Sequence, residues 1–330
     1  MIDLSNNENT LIKHDFKSIM NDYDLMCKYP CDSEYLLKEE LAKKHNVKSH
    51  NISLGCGSSD IIYRTICALN ARAKSENKEL NLIVPMPTFD LVLSIAKALK
   101  IKITYIYLKD DFILNVNDIK PLKNSYNLIY ITNPNNPSAK ELSQNDLEYL
   151  CSICKDNTYM ILDEAYAEYN ANFVSIKKCQ KNIIITRTFS KIYALAGLRI
   201  GYAIAENELF SFIDEFILID NINAYALFCA INALKDEEFV SKTRAMTLEN
   251  KAKLEQVLNE LDIFYFKSNA NFILHKIKSE NYHNFMLENG VKVGRKIHNY
   301  PLFNRISVGN IEELNVFFKA LKLAKEKDLV

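Results

Sequence analysis

The chain has 330 residues, 41 basic and 41 acidic groups and an apolar fraction of 48%. Zero net charge excludes a nucleic-acid binder that works through a large basic field, and the apolar content excludes a mainly disordered chain. Glycine is scarce: seven residues, about 2% against a usual ~7%, so each is expected where the backbone needs positive φ or close approach to a ligand.

The N-terminus, Met1-Ile2-Asp3-Leu4-Ser5-Asn6-Asn7-Glu8, has neither the basic nor the apolar region of a signal peptide. The longest apolar stretch, 216–234, is interrupted by Asp220, Asn221, Asn223 and Asn232, short of the ~20 apolar residues a membrane span needs. A cytoplasmic protein without membrane contact is expected. The first 30 residues are polar and irregular and are expected to lie across another part of the structure.

Short β-branched runs then alternate with helical patterns. Strands are expected at 51–54, 80–84, 102–108, 128–132, 158–162, 182–186 and 199–205, with helices at 59–71, 89–99 and 142–155 between them. Runs such as Leu128-Ile129-Tyr130-Ile131-Thr132 are apolar on both faces, as in a parallel sheet covered by helices. Ser143 and Asp146 read as a capping box. Cys151 and Cys154 then share one helix face and read as core rather than as half a zinc site. The six histidines are scattered, so no metal site is expected. The pairs Lys43-Lys44 and Lys177-Lys178 read as solvated surface. From about residue 237 the pattern changes to a long charged helix up to 261. Short strands follow at 264–266, 271–275, 292–295 and 305–308, with a helix at 282–288 and a last helix from 311. This reads as a smaller α+β domain.

Four segments at strand ends carry chemistry. Gly55-Cys56-Gly57-Ser58-Ser59-Asp60 links a strand to a helix, as a tight turn or as a phosphate cradle at a helix N-terminus. Asn133-Pro134-Asn135-Asn136-Pro137-Ser138 makes a rigid loop at the sheet edge where ligands sit. Asp163-Glu164-Ala165-Tyr166 places an acid, or a helix cap, at the end of the next strand. In Thr188-Phe189-Ser190-Lys191 a lysine stands among apolar residues, where burial would free its amine as a nucleophile, and Arg199 follows as a phosphate partner.

Taken together and in order, these segments resemble the class I/II, fold-type I aminotransferases that use pyridoxal 5′-phosphate (PLP). Within them the chain is similar to histidinol-phosphate aminotransferases and related phospho-amino-acid decarboxylases. The likeness runs from Asn7-Glu8-Asn9 through Tyr29-Pro30 to Arg305-Ile306-Ser307-Val308-Gly309. The resemblance implies a mostly parallel seven-stranded sheet in a large α/β domain plus a smaller α+β C-terminal domain. The expected divisions are an arm over 1–30 that makes a dimer contact, a large domain over 31–236 and a small one over 237–330. It also implies that Lys191 forms the Schiff base and later carries a proton, and that Asp163 pairs with the pyridine nitrogen. Asn136 and Tyr166 would contact the 3′-oxygen, while Ser58, Ser59, Thr188, Ser190 and Arg199 hold the phosphate. Phe89 would lie against the ring, and Tyr29 would reach the neighbouring subunit of a homodimer. Arg305 would bind the substrate's carboxylate and Arg295 a second anion.

The family's Asn-Glu-Asn-Pro-Tyr-Gly is here Asn7-Glu8-Asn9-Thr10-Leu11-Ile12, without the tyrosine that helps hold substrate phosphate, and its Pro-Thr-Gly is Pro137-Ser138-Ala139. The stretch Arg295-Lys296-Ile297-His298-Asn299-Tyr300-Pro301 looks closer to the decarboxylase relatives, or is a variable loop. The resemblance implies amino transfer on a small, phosphorylated amine with glutamate as donor; decarboxylation of a phospho-amino acid is the alternative. Six of the seven glycines fall in or beside these segments, and Gly290 reads as a helix C-cap.

Overall fold

In the computed structural model, which describes residues 1–176 and 179–330, the chain builds a seven-stranded sheet. The Lys177-Lys178 pair lies outside the described residues. The chain starts with β1 (Ile2–Asp3), two single-turn helices α1 (Lys17–Met20) and α2 (Asp24–Cys27), and α3 (Cys31–His45). It continues through β2 (Ile52–Gly55), α4 (Ser58–Ser75), β3 (Leu80–Met86), α5 (Leu91–Ala98), β4 (Lys102–Tyr107) and β5 (Tyr126–Thr132). Then come α6 (Gln144–Ile153), β6 (Thr158–Asp163), β7 (Ile183–Thr188), β8 (Gly201–Ile204), α7 (Asn207–Ile213) and α8 (Ala224–Lys235).

The strand order is β2-β8-β7-β6-β5-β3-β4. Only β8 runs against its neighbours; the other pairings are parallel. Central strands are buried along their whole length, whereas the edge strand β4 alternates and carries Lys102. Period-two geometry sorts their side chains cleanly. Ile83, Ile129, Met160, Leu162 and Ile185 join one core, and Leu82, Leu128, Tyr130, Ile161 and Ile184 the core on the other face. This explains the doubly apolar runs.

The remaining elements are α9 (Glu237–Glu260), β9 (Phe272–Lys276), α10 (Tyr282–Glu288), β10 (Val291–Lys292), β11 (Phe303–Ser307) and α11 (Ile311–Glu326). They close around a further core that includes Ile273, Ile306, Leu314, Phe317 and Leu321, with Leu4 from the N-terminus among them. The Ser143–Asp146 capping box is present on α6; Cys154 is buried and its thiol is pushed up by that burial, while Cys151 is half-buried. Gly290 follows α10 at φ +81°.

Several sequence expectations need correction. The first 30 residues are not wholly irregular: β1 pairs in parallel with β10, with Ile2 opposite Val291 and Asp3 opposite Lys292. Helix α3 was not foreseen, because its buried stripe is thin, chiefly Leu37 and Leu41. The 264–266 strand reduces to one bridge between Tyr265 and His275. The 199–205 strand starts only at Gly201, because Arg199 adopts φ +56° and cannot extend a ladder. Among the described residues no helix is long and apolar enough to cross a membrane, and no group of three or more His, Cys, Asp or Glu is placed to hold a metal ion.

Candidate active site

Strands β2, β3, β5, β6 and β7 share one direction, β2 through two antiparallel pairings with β8 between it and β7, so their ends gather the four segments at one edge of the sheet. Above that edge lies a cavity of about 600 Å³. Ser58, Ser59, Phe89 and Asn136 line it, as do Asp163, Tyr166, Thr188 and Ser190. Lys191, Arg199, Arg295 and Arg305 line it too. Tyr29 does not join them; it is 77% exposed.

The acid is the most enclosed member. Asp163 Oδ2 accepts from Tyr130 Oη at 2.8 Å, and Oδ1 is buried with no hydrogen-bond partner. Burial pushes the carboxyl up; Tyr130, the nearby Thr186 hydroxyl, the Ala165 amide and Lys191 oppose this only in part. A buried carboxylate short of donors calls for a cation with a proton to give. Tyr130 escaped the sequence reading. Its one signal is its place in β5, directly opposite Ile161, two residues before the acid. Tyr130→Phe is expected to remove a charge-assisted bond that opposes the effect of burial and so raise the Asp163 pKa further; NMR titration of the carboxyl in the two proteins checks it.

The turn between β2 and α4 has the form of an anion cradle. Gly57 takes φ +76°, and a Cβ there would stand 2.5 Å from Arg199 Nη2. A Cβ on Gly201 would stand 2.3 Å from Ser58 N. Only glycine lets these chains meet with the amides at the start of the 18-residue α4 free to face an anion. Thr188 Oγ1 accepts from Ser190 N at 3.0 Å, and Arg199 Nη1 donates to Ser190 Oγ at 3.3 Å and to Ala196 O at 3.0 Å. Beneath the turn, the fully buried Arg64 donates to Asp60 Oδ2 at 3.0 Å, Leu54 O at 2.8 Å and Ser53 Oγ at 2.5 Å. Asp60 Oδ2 in turn accepts from Cys56 N at 3.2 Å. Sequence reasoning missed Arg64, although its i, i+4 spacing from Asp60 was readable.

Lys191 is half-buried, with Nζ 5.6 Å from the centre of the Tyr166 ring. The expected apolar enclosure is corrected: Nζ donates to Asn6 O at 2.9 Å, a carbonyl brought in by the N-terminal segment. The same segment supplies Ser5 O to Arg305 Nη2. Arg305 Nη1 donates to Asn136 Oδ1 at 2.7 Å, while its Nε is buried and unpaired. Burial presses hardest against the Arg305 charge, and Arg295 adds repulsion. An anion is the partner this guanidinium lacks. Arg295 is exposed at the rim and pairs with Asp90 at 2.8 Å.

A family model for aminotransferase class I and II matches residues 3–321. The chain belongs to the class I and II aminotransferases. It is an enzyme of the PLP-dependent, fold-type I kind. It is 34% identical over 313 residues to the histidinol-phosphate aminotransferase of Aliarcobacter butzleri, covering 90% of this chain and 82% of that one. Two solved structures share the fold. The histidinol-phosphate aminotransferase of Sinorhizobium meliloti in complex with pyridoxal-5′-phosphate has a TM-score of 0.85 at 20% identity, covering 98% of this chain and 90% of that one. The L-threonine-O-3-phosphate decarboxylase of Porphyromonas gingivalis has 0.82 at 22%, covering 99% and 100%. In this aminotransferase the orphaned Asp163 Oδ1 and the glycine-lined cradle fit a cationic ring nitrogen and a phosphate, so the residues present suit the cofactor.

Proposed function

We propose that this aminotransferase moves an amino group from glutamate to the oxo partner of a small phosphorylated amine of the histidinol-phosphate type, giving that amine and 2-oxoglutarate, and runs the same transfer in reverse. One observation carries the reading. A single cavity holds an amine, a buried carboxylate with one oxygen unpaired, a phosphate cradle and two further arginines. The first three suit the cofactor, and the arginines suit two more anions.

Bound PLP supplies an electron sink for a carbanion at the substrate's Cα. The protein's own groups do the rest. Lys191 Nζ would hold the cofactor's aldehyde carbon, with loss of water, and, once the substrate's amine displaces it, would be free to carry the Cα proton. Asp163 keeps the pyridine nitrogen protonated by Coulomb attraction in a site shielded from water. Ser58, Ser59, Thr188, Ser190 and Arg199 hold the phosphate, Phe89 packs on the ring, and Asn136 and Tyr166 take the 3′-oxygen. Arg305 takes the carboxylate of glutamate, and Arg295, released from Asp90, the phosphate of the amine.

An arm over 1–30, a large domain over 31–236 and a small domain over 237–330 complete the proposal, with a homodimer in which Tyr29 serves the neighbouring site. The exposure of Met20, Tyr23, Met26 and Tyr29, at 43, 71, 68 and 77%, supports a covered surface there.

Incubating the PLP-loaded protein with glutamate tests the donor. Conversion of the bound cofactor to its amine form, with release of 2-oxoglutarate, is expected; an unchanged spectrum contradicts it. Arg305→Gln is expected to raise KM for glutamate about 100-fold with a smaller change in kcat, since a charge-assisted pair of about 2–3 kcal/mol is lost. Steady-state kinetics of the two proteins check this.

A further inference from the structure

Asn7 is fully buried, and every polar group it owns is engaged. Its backbone N–H donates to Ser307 Oγ at 2.9 Å, and its carbonyl accepts from Asn271 Nδ2 at 3.1 Å. Its side-chain Oδ1 lies 3.1 Å from Ser307 Oγ, whose one proton it shares with Leu4 O at 2.7 Å, and Nδ2 donates to Tyr166 Oη at 3.0 Å. Ser307 is on β11 and Asn271 just precedes β9, so the side chain is clamped from one side and aimed at Tyr166 from 159 residues away. Its φ is +54°, a conformation asparagine tolerates.

The direction of that last bond has a consequence. An amide nitrogen only donates, so Tyr166 Oη is the acceptor. The phenolic proton is left without an acceptor among the described residues, and Tyr166 lines the cavity that holds Lys191 and Asn136.

We propose that Asn7 is a positioning residue: its amide occupies Tyr166 Oη as a donor and thereby commits the tyrosine's own proton to the cofactor's 3′-oxygen. The inference rests on the cofactor placement proposed above. A proton donated to that oxygen would spread its negative charge and make the neighbouring nitrogen, Lys191 Nζ joined to the cofactor, less basic. Without the donor that nitrogen holds its proton to higher pH. Asn7→Asp puts an acceptor where the donor was, so Tyr166 turns its proton toward residue 7. Asn7→Gly removes the amide; both replacements tolerate the positive φ.

The test is a pH titration of the visible absorption band of the PLP-loaded protein, without substrate. Asn7→Asp and Asn7→Gly are expected to raise the midpoint by about one pH unit. Tyr166→Phe is expected to raise it at least as far, and Asn7→Gly to add nothing on the Tyr166→Phe background, because the two groups act in series. A purely structural loosening of the arm would lower the melting temperature of the variants without this shared shift. Unchanged midpoints in both Asn7 variants, or a full further shift on the Tyr166→Phe background, overturn the role of Asn7 alone. A wild-type protein with no titrating visible band overturns the cofactor placement and this inference with it.

Discussion

Lys191→Ala is expected to lower turnover by roughly 10⁴-fold or more, because it removes both the covalent attachment and the group that carries the proton. The other lysine lining the cavity, Lys292, is paired with Asp3 at 2.9 Å and does not stand in for it. The phosphate cradle is untouched by the substitution, so the variant is expected still to bind PLP, reversibly. Borohydride reduction followed by peptide mass analysis separates the two proteins. The wild type keeps the cofactor on the peptide containing Lys191, and the variant releases it on unfolding. Turnover near the wild-type rate in Lys191→Ala contradicts the assignment.

Asp163→Asn is expected to have the second largest effect, roughly 10²–10³-fold in kcat, the scale of one preorganised electrostatic group in a shielded site. The side chain keeps its size and its contact with Tyr130 but loses the charge that stabilises a cationic ring nitrogen. The pH dependence follows from the same pair. Burial pushes the lone Asp163 carboxyl up, and a bound cation pulls it down. Cofactor affinity is therefore greatest above the carboxyl's titration in the free protein and falls as pH drops through it. In Asp163→Asn that dependence is expected to vanish. Cofactor dissociation constants measured across the acid range check this, and an unchanged slope contradicts it.

The two cases also show what a sequence makes visible. Asp163 and Lys191 were readable because each follows a buried strand, and the strands announce themselves as apolar runs without alternation. Five parallel strands with common direction then bring their ends to one edge, so locating the strands nearly locates the site. What escaped depends on partners distant in the chain. Tyr130 looks like any aromatic strand residue until β5 is laid beside β6. Asn7 meets Tyr166 from 159 residues away, held there by Ser307 and Asn271. The pair of half-buried Arg187 and buried Glu164, 2.6 Å apart, likewise joins the end of β7 to the residue after Asp163. Lys191 was placed in the right turn but with the wrong surroundings, since the carbonyl of Asn6 comes from 185 residues away. The scarcity of glycine was informative at Gly57 and Gly201, where a Cβ has no room, and misleading at Gly197, around which there is open space.

The central claim is amino transfer to and from a phosphorylated amine at Lys191. Its most direct test is to supply the PLP-loaded protein with histidinol phosphate and 2-oxoglutarate and to measure glutamate and CO₂ together, with O-phosphothreonine in a parallel reaction. Glutamate is expected to form in step with loss of the phosphorylated amine, with no CO₂ from either substrate. CO₂ released from O-phosphothreonine, with no glutamate formed from histidinol phosphate, would contradict it and assign the site to decarboxylation.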